Sequence, residues 1–357
     1  MAVTVRSFAK INLGLRIGAA RDDGFHELRT IYQTIALHDL VRVDVQFGSG
    51  IEIRCSDPRV PVDQSNTCHK VAERVLKIIP RGLKPVPEAV PGGTAEAVPF
   101  QNQNHGMARS RRVIIDIDKH LPVQGGLGAA SSNGVAAMLG LERALGPSLP
   151  PDEKLRIVTE VGSDLPLFLI GGTVLGVGHG EEVYPLPDLP ALDVVVVTPS
   201  IGVSTPQAFA RWDELVARDA GLTAASATGT MNEFSQRVFS WLSSSVYPQA
   251  GPASGVPAVG GDRAETPLLD LVRAGIANDF ERVVFPEHPE LLEAKRVLQR
   301  EGAYYASLSG SGSTLYGLFG APEEAHAAAG LLNEMGHAAV ATKTLTREKY
   351  WQQIFVS

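Results

Sequence analysis

Cysteine is scarce: Cys55 and Cys68 are the 2 cysteines among 357 residues. They form no CxxC pair and have only His69 beside them, which argues against a disulfide framework and against structural zinc. Positive charge is not in excess, since 32 Lys and Arg against 39 Asp and Glu leave a formal charge of −7. Such a chain lacks the basic surface with which dedicated nucleic-acid binders neutralise phosphates, so we expect no nucleic-acid partner, and any polyanionic ligand must be met by a local site. Long apolar runs are missing too. Leu165 to Gly178 and Val194 to Ala210 are broken by glycine or proline and fall short of the roughly 20 residues that span a bilayer. Ile11 to Ala20 has the look of a secretory apolar region, but Asn12 and Arg16 interrupt it. The expectation is a soluble cytoplasmic protein with no membrane partner. What the chain does have is 44% hydrophobic against 20% charged residues, enough for two domains with cores of their own.

Val3 to Ile17 contains an alternation in which Ala9, Ile11, Leu13 and Leu15 share one face and Lys10, Asn12 and Gly14 the other, the period of a half-buried strand. Ala20 to His26 reads as a turn, and Val41 to Val45 and Ile51 to Arg54 as short strands expected to pair antiparallel. Asn66 is placed to cap a helix reaching Ile79, with Val71, Val75, Leu76 and Ile79 at helical spacing. Residues 80–110 turn to Pro, Gly, Asn and Gln without periodicity, a surface insertion; 243–265 is a second loop of that kind. Between them the pattern predicts a strand at Arg111 to Asp118, a glycine-rich loop, helices at Ser131 to Leu145 and Asp152 to Val161, and strands at Thr173 to Val177 and Asp193 to Thr198. Helices near Gln207 to Ala217 and Glu233 to Leu242 follow. Beyond the second loop come a helix (Pro289 to Gln299), two strands (Tyr304 to Leu308, Thr314 to Phe319), a helix (Pro322 to Met335) and a strand (Ala338 to Thr344). This order suits an α+β class, divided as 1–170 and 171–357.

The strongest chemical signal is the run Pro122, Val123, Gln124, Gly125, Gly126, Leu127, Gly128, Ala129, Ala130, Ser131, Ser132, Asn133, set between a predicted strand and a predicted helix. Glycines let backbone approach an anion, and free amides at a helix start favour phosphate. The plain alternative is a tight turn with a serine cap. Neither familiar phosphate motif fits, because no lysine ends the loop and Ser131 stands where a dinucleotide fingerprint needs its third glycine. A phosphate loop of another type is implied. Asp164, just before Leu165 and Pro166, could equally cap a helix or accept a proton; Lys10 could be a solvated side chain or face a polar cleft.

The Pro122 to Asn133 loop resembles the second motif of the GHMP kinase superfamily, Ser7 to Leu13 its first, and Leu308-Ser-Gly-Ser-Gly-Ser-Thr314, with Gly310, Ser311 and Gly312, its third. Within the superfamily, Ala9 to Gly18, Arg21 to Leu28 and Val161 to Phe168 are similar to the branch that acts on a cytidine diphosphate ester of methylerythritol. The resemblance spans most of the chain. It implies a two-domain GHMP kinase fold, with an N-terminal domain like ribosomal protein S5 domain 2 and a ferredoxin-like C-terminal domain. It implies ATP-dependent phosphorylation of the 2-hydroxyl of that ester, a step of the non-mevalonate route to isoprenoids, with ATP and Mg²⁺ as cofactors and a monomer or homodimer as the assembly. By the same resemblance Lys10 and Asp164 are catalytic, and Asn12 orients the erythritol part. Phe25 and His26 hold the cytosine, Thr205 closes over the nucleotide part of the substrate, and Asn66 and Lys119 lie near adenine. The loop from Pro122 to Asn133 wraps the triphosphate, and Ser131 or Ser132 reaches the metal.

The chain departs from the family pattern where Ala129 and Ala130 replace glycines, where Ser309 replaces a threonine and in its two unusual insertions, and Phe25 stands in place of the commoner tyrosine. Two rival readings remain at this point. One is a superfamily kinase for another alcohol, of the homoserine or mevalonate type; the other is a non-catalytic nucleotide-binding regulator.

Overall fold

The computed structural model describes residues 2–21, 23–79, 111–218, 229, 231–239, 242 and 276–356. The two predicted insertions, 80–110 and 243–265, lie outside them. Two long strands, β1 (Val3–Ala20) and β2 (His26–Phe47), form an antiparallel hairpin at the centre of the first lobe. β2 reaches much further back than the predicted Val41 to Val45, because Thr30, Ile31, Tyr32, Thr34 and Ile35 are the β-branched and aromatic types that fit a pleated surface. Its C-terminal half takes β4 (Arg111–Asp118) along the edge away from β1, and its N-terminal half takes β5 (Thr173–Val177). β3 (Gly50–Cys55) runs parallel to β4, not antiparallel to its sequence neighbour as expected. The α1 helix (Thr67–Ile78) lies in the long connection that a parallel pair requires.

β6 (Glu182–Pro185) pairs with β5 and completes the six-stranded sheet. The first sheet therefore runs past residue 171, where the sequence pattern suggested the second domain begins; the chain changes sheets between Pro185 and Asp193. On one face of this sheet pack α1, α2 (Ala129–Leu145) and α3 (Pro151–Val161), with α4 (Leu165–Phe168) after them, around Val71, Val75, Val135, Met138, Leu141 and Phe168.

The second lobe is built from β7 (Asp193–Thr198), α5 (Thr205–Arg218), α6 (Glu281–Glu287), α7 (Pro289–Arg300), β8 (Tyr305–Leu308), β9 (Leu315–Phe319), α8 (Pro322–Glu334) and β10 (Ala338–Lys343). Residues 231–239 are also helical. The sheet order β10-β7-β9-β8, antiparallel throughout, is the ferredoxin-like arrangement. A last helix, α9 (Arg347–Gln353), was not anticipated; it returns to the first lobe, where the Tyr350 hydroxyl donates to the Phe168 carbonyl at 2.7 Å. No helix among the described residues is long and apolar enough to cross a membrane.

The lobes meet over a core of their own, in which Ala9, Ile11, Leu13, Ile31 and Ile35 pack against Leu127, Val194, Val196, Tyr316 and Leu318. That contact corrects the reading of β1 as half-buried. Its apolar face is covered by the second lobe, and its polar face, with Lys10 at 3% and Asn12 at 1% exposure, is enclosed as well. Buried polar groups need partners, so the partners of these two locate the site.

Candidate active site

Lys10 and Asp164 converge. The ammonium Nζ lies 3.5 Å from Asp164 Oδ2 and donates to Asn12 Oδ1 at 2.7 Å. Asn12 Nδ2 donates in turn to Thr30 Oγ1 at 2.7 Å, and Thr30 donates to the Gly14 carbonyl. Register shifts between β1 and β2 occur at Phe8/Ala9 and at Asn12/Gly14, bracketing the residues that carry these side chains. Bulges of this kind re-aim side chains beside a site.

Asp164 stands at the start of α4, yet its side chain makes no capping hydrogen bond. Its carboxylate turns instead to Lys10 and to Tyr32, whose hydroxyl donates to Oδ1 at 3.1 Å. Burial, together with the Asp164 charge, pushes the Tyr32 phenol well above its ordinary value, so it stays protonated and remains a donor. The Lys10 ammonium also sits 5.4 Å from the centre of the Tyr32 ring. Sequence reasoning missed Tyr32, which lies in none of the predicted elements. We expect Tyr32→Phe to lower kcat by about tenfold, because a hydrogen bond to a charged group contributes about 1.5 kcal/mol and 1.4 kcal/mol is a factor of ten. Initial rates at saturating substrates check this, and an unchanged kcat would remove Tyr32 from the orientation of Asp164.

Two clefts open on this centre, and both are lined by Gly126 and Asp164. The first, about 450 Å³, is bounded by the glycine loop from Pro122 to Ser131, by Asn66 and Lys119, and by Arg59. The loop is tied down from below: the Lys10 amide donates to the Leu127 carbonyl at 3.0 Å, and Ser309 Oγ donates to the Gly126 carbonyl at 2.9 Å. Gly126 (φ 79°) and Gly128 (φ 68°) adopt the left-handed region, whereas Ala129 and Ala130 are already the first residues of α2. Helical backbone suits alanine well, so this departure from the family pattern needs no distortion of the loop.

The second cleft, about 610 Å³, is lined by Lys10, Asn12, Phe25, His26, Thr205 and Gly310 among others. His26 Nε2 is 2.8 Å from Asp213 Oδ1, and its ring stacks on Phe209 with centroids 5.0 Å apart. Phe25 is exposed and tilts against His179 at 4.8 Å. Thr205 and Ser311 share a hydrogen bond of 2.7 Å, and Asn278 Nδ2 donates to the carbonyls of Leu308 and Gly310, holding the third glycine turn. Phe209 and Asp213 were missed, although Thr205, Phe209 and Asp213 fall at i, i+4 and i+8 on one face of α5, a signal the sequence carries.

The remaining predicted residues have mixed placements. Asn66 borders the first cleft but serves as the N-cap of α1, accepting from the Cys68 amide at 2.8 Å. Lys119 borders it too, yet its ammonium donates to the buried Asp39 at 2.6 Å. Ser131 lines the cleft, whereas Ser132 is 2% exposed and does not. Gly312 lines neither cleft.

Known proteins are similar to this chain in sequence and in fold. Residues 95–172 match the GHMP kinases N terminal domain and residues 265–338 the GHMP kinases C terminal family. A 4-diphosphocytidyl-2-C-methyl-D-erythritol kinase from Solibacter usitatus is 35% identical over 315 residues, covering 88% of this chain and 80% of the relative. The chain belongs to the 4-diphosphocytidyl-2-C-methyl-D-erythritol kinase family. A solved 4-(cytidine 5'-diphospho)-2C-methyl-D-erythritol kinase matches with a TM-score of 0.63 at 24% identity, over 96% of this chain and 98% of that one. A homoserine kinase from Cytophaga hutchinsonii matches as well in shape, with a TM-score of 0.64 at 16% identity over 97% of this chain and 95% of its own. Shape alone thus does not separate the family from kinases of other alcohols.

Proposed function

We propose that this chain transfers the terminal phosphoryl group of ATP to the 2-hydroxyl of 4-diphosphocytidyl-2-C-methyl-D-erythritol. The observation that carries the reading is the meeting of a glycine-loop cleft and an aromatic cleft at Lys10, Asp164 and Gly126. Phosphoryl transfer needs an in-line hydroxyl, a proton acceptor and neutralised phosphate oxygens, and little else. In this reading the loop amides and the start of α2 hold the triphosphate. Asp164 accepts the proton of the attacking hydroxyl, the new oxygen–phosphorus bond forms, and the bond to the bridging oxygen of ADP breaks. Lys10, 3.5 Å from that carboxylate, offsets charge developing on the phosphoryl oxygens.

Magnesium fits the donor set sparingly. No cluster of three or more His, Cys, Asp or Glu suited to a metal occurs among the described residues. Ser131 and Asp164 are two side-chain oxygen donors of the first cleft that suit an ion held mainly by phosphates and water, and buried Ser132 is set aside. Such an ion supplies charge neutralisation of the phosphates. The small soluble substrates of this reading fit a cytoplasmic enzyme.

The cytosine would lie between Phe25 and Phe209, with His26 at its edge. The tautomer that suits the Asp213 carboxylate has its proton on Nε2 and leaves Nδ1 as an acceptor for an exocyclic amine. His26→Ala is expected to raise the KM of the cytidylyl ester by about tenfold or more and leave that of ATP within about twofold, with Asp213→Ala a weaker copy. A coupled ADP-release assay with the cytidylyl ester, homoserine and mevalonate tests the reading as a whole. Turnover of either of the latter two alcohols in preference to the ester would overturn it.

A further inference from the structure

Asp39 is a fully buried carboxylate with no part in the reaction above. It lies on β2, and its two oxygens take four donors. Oδ1 accepts from the amides of His120 and Leu121, each at 2.7 Å; Oδ2 accepts from Lys119 Nζ at 2.6 Å and Asn133 Nδ2 at 3.1 Å. Four donors match the roughly four lone-pair sites of an ionised carboxylate, so none is left for a ligand. The donors come from three places that frame the first cleft: the end of β4 with Lys119, the residues that open the glycine loop, and the first turns of α2 with Asn133.

We propose that Asp39 is the positioning residue of the nucleotide cleft, and that Lys119 acts as the cation that completes this strut instead of as a ligand of ATP. The geometry gives the reason. A lysine 6% exposed and paired at 2.6 Å with a carboxylate that is 0% exposed has its charge matched inside the protein. Pulling it to a phosphate would strand the Asp39 charge where water cannot reach it. The strut instead fixes the distance between β2, which faces the acceptor cleft through Tyr32 and Thr30, and the loop that frames the nucleotide cleft. The inference rests on the reading of the first cleft as the nucleotide site.

The test uses binding, which needs no turnover. In Asp39→Asn the amide oxygen can still accept from His120 and Leu121, but its NH₂ group faces the Lys119 ammonium and the Asn133 amide, so half of the strut turns repulsive. Titration calorimetry with AMP-PNP and magnesium should show affinity about tenfold weaker, while the cytidylyl ester, titrated without nucleotide, binds within about twofold of the parent chain. Lys119→Met in the Asp39→Asn background should restore part of the AMP-PNP affinity, because the stranded ammonium is gone. A direct ligand of ATP would behave in the opposite way, its removal adding a further loss in that background, and that result would overturn the proposal. So would equal weakening of both ligands or unchanged AMP-PNP affinity. If Asp39→Asn does not fold, Lys119→Met in the native background decides: loss of AMP-PNP affinity with an unchanged thermal midpoint marks a ligand and refutes the strut, whereas a lowered midpoint that AMP-PNP raises as it does in the parent supports it. A parent chain that binds AMP-PNP but does not phosphorylate the ester would sink the functional reading and leave this one standing.

Discussion

Asp164→Asn is expected to lower kcat by about 10³-fold, within the range that a positioned base contributes, while the thermal midpoint moves by no more than about 2 °C. The separation follows from the structure. The Asp164 side chain is 35% exposed and caps no helix, so an amide of the same shape costs the fold little. It removes the negative charge and one of the two oxygens that Lys10 and Tyr32 address, and with them the proton acceptor. Lys10→Met should be as damaging to turnover but worse for stability, because Lys10 is 3% exposed and Asn12 Oδ1 would lose its donor, a cost of about 1–3 kcal/mol. Since the two side chains act as one unit, the double variant should be no slower than the worse single. Initial rates by ADP release, with thermal melts alongside, measure all three. Turnover within tenfold of the parent in either single variant would take that residue out of the mechanism.

The pairing of residues 10 and 164 was legible in the sequence, and the reason is local. Lys10 and Asn12 share the polar face of an alternating strand, and the segment Gly162-Ser-Asp-Leu-Pro166 is distinctive enough to match a family motif. The loop was legible for the same reason, since phosphate approach imposes glycine at particular positions. What the sequence hid was tertiary. Tyr32 is an ordinary strand residue until the first-lobe sheet brings it to Asp164, 132 positions away. Asp39 carries no pattern, because its donors are 80–94 residues distant in sequence. The parallel pairing of β3 with β4 and the reach of the first sheet to Pro185 depend on which strand the central hairpin recruits, which local periodicity does not encode. Lys119 and Asn66 border the first cleft, where the family motif suggested them, and each also has a partner within the protein: Asp39 for Lys119, which the sequence hid, and the α1 cap for Asn66, which local spacing announced.

Gly126 is the position where the loop, the third glycine turn and both clefts touch, and its substitution by alanine should have the second large effect. A Cβ at Gly126 would fall on the Ser309 carbonyl, well inside van der Waals contact, and φ is 79°. The left-handed backbone alone costs an alanine about 1–2 kcal/mol, and no rotamer change relieves a clash with main chain. The loop must therefore lift away from the turn, breaking the bond from Ser309 Oγ to the Gly126 carbonyl and loosening a wall shared by both clefts. Gly126→Ala should lower the thermal midpoint by about 5 °C or more and reduce kcat/KM for both substrates by about 10²-fold, misplacement of about 1 Å being enough for such a loss. Ala130→Gly is the contrast: it restores a family glycine at a helical residue, so it should cost about 1 kcal/mol of helix stability and leave both KM values nearly unchanged. Melts and steady-state rates on the two variants give the comparison. If Gly126→Ala matched the parent in both, the close approach of the loop to Ser309 would have no bearing on the site, and the shared wall between the clefts would have to be rebuilt from other residues.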